Sequence, residues 1–377
     1  MIWLKMLVII TLLLYTLFML VPVFTILFAK KDADFTSFTP LEKISIIIPF
    51  RDEEHTIVKC LESLMEQDFP KELLELILVD DNSEDDTKRL AENLLHARNF
   101  TYQLIDLKTH NLSGKKAAIE LAVEKANGTI IITRDADTYT KSTRWLKSIA
   151  YEFVITKPKL LLAPVMLTGT SFIQLFQRFE NLAISSISYA FAKNKLPFVC
   201  SGANLAYRKE SFLQVNPYKD NLHIASGDDM FLLQGFIDAK LKVSTIKNPC
   251  AIAYTKAEKD VASFINQRLR WASKAKNMHL KTAWFVGGLL FFTNLVVLIT
   301  AFSGVFSGAN IKFCLFTIIY KCIIDILLLF LGAIMYKQKL NFAFYIPAFI
   351  ANLFYVPFIA IASISVKPSW KGRKTGV

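Results

Sequence analysis

Four apolar stretches dictate what this 377-residue chain can become. The first occupies residues 6–29, and three more lie near 284–303, 313–336 and 342–366. Each is long enough to cross a bilayer as a helix, the one form in which a single segment satisfies its own backbone hydrogen bonds in hydrocarbon. The first run sits between Lys5 and Lys30/Lys31 and carries no A-x-A-like cleavage site, so it reads as a retained anchor rather than a signal peptide. Polar breaks at 303–310 and 337–339 separate the later three. The expected organisation is an anchor over 1–31, a soluble domain with interfacial helices over 40–281, membrane helices over 282–366 and a basic tail over 367–377.

Charge follows the same division. Residues 32–260 hold 31 acids and 28 bases, a net of −3, whereas the rest hold 16 bases and one acid, Asp325, a net of +15. Basic residues that flank apolar spans are what the positive-inside bias produces. A nucleic-acid partner would call for a basic patch on the folded domain, and none is read there, so no nucleic acid is expected. The cysteines (Cys60, Cys200, Cys250, Cys314, Cys322) include no C-x-x-C pair. That pattern signals neither a zinc site nor a disulfide framework, and fits core filler in a reducing cytosol.

Between the spans, strand and helix signals alternate. K-I-S-I-I-I-P-F (43–50) is a near-continuous β-branched run, as a strand covered on both faces requires. Ile57, Leu61 and Leu64 follow at helical spacing. L-L-E-L-I-L-V-D-D (73–81) reads as a second strand, 86–98 as a helix, and T-Y-Q-L-I-D-L (101–107) as a third strand. K-K-A-A-I-E-L-A-V-E-K-A-N-G (115–128) reads as a helix closed by a C-cap glycine, and T-I-I-I-T-R-D-A-D (129–137) as a fourth strand. Such regular repetition predicts a doubly wound α/β sheet with right-handed crossovers. Ligands bind such sheets at the carboxyl ends of the strands, where Asp80/Asp81 and Asp135/Asp137 both fall.

Asp135 and Asp137, one residue apart past a buried strand, repel each other unless a cation neutralises them. A hard divalent metal, Mg²⁺ or Mn²⁺, shared with substrate phosphates is the natural partner. A solvated turn is the plain alternative, because D-x-D alone is common by chance. The shared sheet edge with Asp80/Asp81 favours the metal.

The motifs then become specific. I-I-I-P-F-R-D-E-E (46–54), L-I-L-V-D-D-N-S-E-D-D-T (76–87), G-K-K-A-A-I (114–119) and T-R-D-A-D (133–137) resemble the catalytic domain of family 2 glycosyltransferases. F-V-C-S-G-A-N-L-A-Y-R-K (198–209), S-G-D-D-M-F-L-L (226–233) and Q-R-L-R-W (267–271) resemble the later motifs of that family's membrane-embedded branch. The branch includes cellulose, chitin and hyaluronan synthases and ceramide glucosyltransferases. The resemblance implies a GT-A-type doubly wound mixed sheet with membrane helices at both ends. It also implies a nucleotide-sugar donor, UDP-linked, a glycan or lipid-linked acceptor, and inversion by one displacement. By the same resemblance Pro49 and Glu53 open the nucleotide pocket, and Asp80 or Asp81 binds uracil or ribose. Lys115 lies near the diphosphate, Asp135 contacts the donor, and Asp135 with Asp137 holds the metal. Asp228 is the general base and Asp229 the runner-up, with glycine at 227 where the family carries a glutamate. Gln267 and Arg270 reach the donor, while Gly202, Ala203, Asn204 and Trp271 serve the acceptor.

Helical spacing puts Gln267, Arg270 and Trp271 on one face, and Lys274, Lys276 and Lys281 make the same helix basic enough to lie on a membrane. Phe172, Leu175, Phe176 and Phe179 mark another interfacial helix, with a plain core helix as the near-equal alternative. Lys321 and Asp325 stand four apart within an apolar segment and are expected to pair toward the bundle interior. Pro347 and Pro357 suggest a kinked or re-entrant last segment. A cytosolic domain followed by three spans would leave the basic tail outside, against the positive-inside bias, so one of the three is expected to be re-entrant or interfacial. The resemblance implies the inner (plasma) membrane of a bacterium, with the domain cytosolic; an oligomer is compatible. Processive polymer synthesis and single transfer both stay open, beside a catalytically inactive membrane scaffold or nucleotide-sugar sensor.

Overall fold

The structure, a computed structural model, describes residues 2–30, 33–98, 100–224, 226–273, 279–307, 310–366, 369–370 and 373–374. Of the basic residues singled out above, Lys31, Lys274, Lys276, Lys367 and Lys371 lie outside the described residues. Along the chain the elements run α1 (Ile2–Leu27), β1 (Ile44–Phe50), α2 (Ile57–Met65), β2 (Leu74–Asp80), α3 (Thr87–Ala97), β3 (Tyr102–Asp106), α4 (Lys115–Lys125), β4 (Ile130–Thr133), β5 (Tyr139–Thr140), α5 (Trp145–Thr156), β6 (Leu160–Leu162) and β7 (Val165–Thr168). They continue with α6 (Phe172–Lys193), β8 (Leu205–Arg208), α7 (Lys209–Val215), α8 (Asp228–Asp238), β9 (Val243–Thr245), β10 (Ala253–Lys256), α9 (Val261–Ser273), α10 (Lys281–Ser307), α11 (Ile311–Met335) and α12 (Tyr345–Ser365). Two compact units result: Lys31–Thr168 with Val199–Lys256, and Met1–Lys30 with Gly169–Phe198 and Ala257–Val377.

The first of these units is built on a seven-stranded sheet in the order β3-β2-β1-β4-β8-β6-β9. β1 pairs in parallel with β2 and β4, and β2 with β3. β8 runs antiparallel between β4 and β6, so the sheet is mixed. All seven residues of β1 are buried, which is what its unbroken apolar run requires of a central strand covered on both faces. Ile46, Ile48, Leu76, Leu78 and Ile132 share one core with Leu61 and Leu64 of α2 and Trp145 and Phe153 of α5. Register aligns the strand ends: Ile44 faces Leu74 and Ile130, and Phe50 faces Asp80. The loops after β1 and β2 therefore leave the sheet together at its carboxyl edge. A second, three-stranded sheet in the order β5-β10-β7 lies in the same unit.

One expected helix end is corrected. α4 closes on Ala126, not on a capping glycine. Gly128 instead lets β4 approach β1, since a Cβ there would sit 2.5 Å from the Ser45 backbone nitrogen and 2.6 Å from its hydroxyl oxygen.

Among its described residues, the other unit contains four helices long and apolar enough to cross a membrane: Trp3–Leu27, Lys281–Gly304, Ile311–Met335 and Phe342–Ser365. All three C-terminal apolar segments thus reach spanning length, and α12 continues through Pro357. α6 starts on a capping box formed by Ser171 and Gln174. It buries Leu175, Phe176 and Phe179 and leaves Phe172 exposed. Lys321 and Asp325 of α11 pair at 2.6 Å, and the Tyr15 hydroxyl of α1 donates to the same carboxylate at 2.5 Å.

Candidate active site

The carboxyl edge of the large sheet is held open by loops that bond to one another. After β1, the Glu53 backbone N–H donates to the Thr87 hydroxyl at 2.7 Å and that of Glu54 to the Asp85 carboxylate at 3.0 Å. The Glu84 N–H returns to Asp52 at 2.8 Å. The Glu53 carboxylate accepts from the Thr56 hydroxyl at 2.8 Å. Pro49 is buried within β1, opposite Val79.

Asp80 and Asp81, both buried, do different things. Asp80 ends β2 and accepts the Ser83 N–H at 2.9 Å, the turn expected of an aspartate ahead of a helix. Asp81 accepts the Gly114 N–H at 2.8 Å, which fixes the start of α4 beside the β2 loop. Lys115, the first residue of α4, then turns its ammonium onto two acids. Its Nζ lies 2.6 Å from Asp135 Oδ1 and 2.9 Å from Asp228 Oδ2. Burial opposes the charge on Lys115, but Asp135 and Asp228 outweigh it and hold the ammonium above the ordinary lysine value. Residues separated by over a hundred positions in sequence meet on this one nitrogen.

Asp137 accepts from the Thr255 hydroxyl of β10 at 3.1 Å. Desolvation, then the neighbouring Asp135 and Glu53, push its carboxyl up to about 7. Asp137 is nevertheless exposed to solvent, and the screening there works against the full shift. Among the described residues no group of three or more His, Cys, Asp or Glu side chains forms a ready-made metal cage. Two crowded carboxylates at a strand end fit a hard divalent cation whose remaining ligands come from phosphate.

Asp228 and Asp229 open α8, where acids suit the positive end of the helix. Asp229 Oδ1 accepts the Met230 N–H at 2.8 Å, and its other oxygen accepts the Gly202 N–H at 3.4 Å. Of the expected acceptor residues, Gly202 borders this cluster. Asn204 is fully buried and engaged inward: its amide donates to the Pro164 and Ala251 carbonyls at 2.8 and 2.9 Å and accepts from the Trp145 indole at 3.3 Å. Ala203 is buried beside it.

Residues 45–215 match the family model described as Glycosyl transferase family 2. This domain belongs to that family. Glycosyltransferase AglE of Haloferax volcanii is 26% identical over 196 residues, 52% of this chain and 62% of the relative. The dolichyl N-acetyl-alpha-D-glucosaminyl phosphate 3-beta-D-2,3-diacetamido-2,3-dideoxy-beta-D-glucuronosyltransferase of Methanococcus voltae is 36% identical over 96 residues, 26% of this chain and 29% of the relative. The match thus spans less than two thirds of either relative's length. Among solved structures, the mannosyltransferase PcManGT from Pyrobaculum calidifontis, in complex with GDP-Man and Mn²⁺, superposes with a TM-score of 0.60. It covers 96% of this chain and 99% of its own at 15% identity, a likeness of fold.

Sequence reasoning overlooked Arg134, within the matched residues, and Thr255, beyond them. Arg134 is fully buried beneath the D-x-D loop, donates to the Thr138 hydroxyl at 3.0 Å and stacks over Trp145 at 4.8 Å. An arginine closing an apolar strand was the available signal. In the other unit, Gln267 of α9 donates to Glu258 at 2.7 Å, and Arg270 is half-buried. Trp271, 44% exposed, lies under the Arg268 guanidinium at 4.3 Å. Arg268, passed over as a variable position of Q-x-x-R-W, is buried and pairs with Glu180 at 2.6 Å.

Proposed function

We propose that the chain is a membrane-bound inverting glycosyltransferase that moves a sugar from a UDP-linked donor to a glycan or lipid-linked acceptor in envelope polysaccharide or glycolipid synthesis. The observation that carries this reading is the Lys115 ammonium joining Asp135, at the end of β4, to Asp228, at the start of α8. A donor-side acid and a candidate base are thereby gathered around one cation. Asp228 accepts the proton of the acceptor hydroxyl as that oxygen bonds to the anomeric carbon. The bond from that carbon to the donor phosphate breaks on the opposite face, and the nucleoside diphosphate leaves with the electron pair. Lys115 supplies a positive charge to the departing phosphates. Asp135 and Asp137 would hold the divalent metal, Mg²⁺ or Mn²⁺, which neutralises diphosphate charge when bound. Glu53 and Asp80 or Asp81 line the nucleotide side, and Gly202 keeps the base approachable.

The four apolar helices would keep the enzyme at the bilayer where a lipid-linked acceptor resides, with the family 2 domain on the cytosolic side of a plasma membrane. The Methanococcus voltae relative, named for a dolichyl phosphate acceptor, supports that acceptor class. Q-x-x-R-W on α9 argues for processive synthesis and the small number of apolar helices for single transfer, and product length separates the two.

The test is nucleoside diphosphate release by the detergent-purified chain over UDP- and GDP-sugars, GDP-mannose included, with Mn²⁺, Mg²⁺ or chelator, beside Asp137→Asn and Asp228→Asn. Metal-dependent release from one donor, lost in both variants, is the expected result. Failure to bind both metal and nucleotide would leave the scaffold reading in its place.

A further inference from the structure

Lys115 is an unusual choice for the first residue of α4. The amino end of a helix carries partial positive charge and disfavours an ammonium. Acids at the site must hold it there. Asp135 does so at 2.6 Å and Asp228 at 2.9 Å, with the lysine side chain only 20% exposed. The surrounding backbone is shaped to the pair. A Cβ at residue 202 would stand 2.7 Å from Asp228 Oδ2 and 3.1 Å from Lys115 Nζ, so glycine is what lets the three groups close. Asp135, the first carboxylate of the D-x-D pair, therefore already has a cation on it, supplied by the chain itself.

A divalent ion and an ammonium cannot both sit on Asp135 without strong repulsion in a partly buried site. A diphosphate changes the balance, because it offers Lys115 a doubly charged partner and offers the metal further oxygens. The Gly114 N–H is tied to Asp81 at 2.8 Å, so the start of α4 stays in place while the lysine side chain alone swings.

We propose that Lys115 is the resident counter-ion of the site: without nucleotide its ammonium occupies Asp135 and keeps a divalent metal off the Asp135–Asp137 pair, and the donor diphosphate draws it away. Metal then follows nucleotide, and Oδ2 of Asp228 is uncovered for the acceptor hydroxyl in the same exchange. Lys115 thus sets the order of assembly in addition to meeting the leaving phosphates. This rests on the reading of the chain as a metal-using, nucleotide-sugar-dependent transferase.

The test measures Mn²⁺ binding by electron paramagnetic resonance on the full chain in detergent, first with Mn²⁺ alone and then with UDP or GDP added. Wild type and Lys115→Arg should bind Mn²⁺ poorly alone and well with nucleoside diphosphate. Lys115→Gln should bind Mn²⁺ alone at least about tenfold more tightly than wild type, a difference of about one decade in Kd. It should also gain less from nucleotide than wild type does. Lys115→Ala serves if Lys115→Gln does not fold. An unchanged affinity for Mn²⁺ alone in the neutral variants, with wild type still binding Mn²⁺ beside nucleotide, overturns the counter-ion role and leaves the transferase reading standing. Absence of Mn²⁺ binding in every protein, with or without nucleotide, overturns both.

Discussion

Arg268 of α9 holds Glu180 of α6 through both carboxylate oxygens, with Nε 3.0 and 3.1 Å away and Nη2 at 2.6 Å. The Tyr355 hydroxyl of α12 donates to the same carboxylate at 2.7 Å, so three helices of the membrane unit meet on one acid. The Arg268 guanidinium also stacks on Phe264 at 4.7 Å and on Trp271 at 4.3 Å. Burial opposes its charge, but Glu180 more than compensates and raises its affinity for the proton.

Removing one partner of this pair strands the other. Glu180→Gln should lower the stability of the membrane unit by on the order of 3 kcal/mol, because the arginine stays buried without its counter-charge. Tyr355→Phe, which deletes one hydrogen bond, should cost about 1 kcal/mol. Thermal unfolding in detergent orders the three proteins. Equal melting temperatures for wild type and Glu180→Gln would mean that the pair adds nothing.

Gly202→Ala tests the close approach at the acid cluster. The new methyl would stand 2.7 Å from Asp228 Oδ2, a distance that forces the carboxylate or the Lys115 ammonium aside. A displacement of that size at a reacting group should lower turnover about 100-fold. Circular dichroism and melting temperature should stay near wild type, since the residue touches side-chain ends there rather than core. Full activity in Gly202→Ala would show that the cluster tolerates rearrangement.

Glu75, buried in β2 far from the carboxyl edge, gives the pH dependence. It accepts from the Asn127 N–H at 2.9 Å, the Asn127 amide at 2.7 Å, the Gln103 amide at 2.8 Å and the Ser45 hydroxyl. Desolvation raises its affinity for a proton, but the bonds from Ser45 and Asn127 outweigh that and bring its carboxyl below the ordinary glutamate value. The unfolded chain therefore binds the proton first as pH falls. The stabilisation is complete above the unfolded value, about 4.3, and is lost as pH drops through the lower folded one. Glu75→Gln should melt lower than wild type at neutral pH, with the gap narrowing below about pH 4. A gap that stays constant from pH 7 to pH 3.5 would contradict this assignment.

What the sequence made legible, and what it hid, follows from the strength of the local signals. β1, β2 and β4 were readable because long β-branched runs ending in aspartate leave few alternatives, and the family motifs sit on their carboxyl ends. The antiparallel entry of β8 beside β4 was not, since its four residues carry no period of their own and are placed by pairing. The sheet of β5, β10 and β7 hid for the same reason. Asn204 shows the limit of motif reasoning: its motif position suggested an acceptor contact, yet its amide is committed to backbone carbonyls and an indole. Glu75 was passed over because one acid in an apolar run looks like a solvent-facing position until its four donors are seen. The Lys321–Asp325 pair was legible from spacing alone, although its third member, Tyr15, lies 310 residues away.

That triad supports the last prediction. Lys321 is 1% exposed, pairs with Asp325 at 2.6 Å, and faces the Tyr15 and Phe349 rings at 5.3 and 5.1 Å. Asp325→Asn leaves the ammonium in an apolar bundle with no counter-charge, which should destabilise the unit by about 3–5 kcal/mol. The double change Lys321→Met with Asp325→Leu removes both charges and keeps the volume, so most of that loss should be recovered. A residual deficit of about 1 kcal/mol is expected, because the Tyr15 hydroxyl loses its acceptor. Adding Tyr15→Phe to the double variant should then cost nothing further. Chemical unfolding in detergent micelles measures all four proteins on one scale. A double variant that unfolds as early as Asp325→Asn would show that the pair stabilises the bundle through its shape and packing, not by neutralising a buried charge.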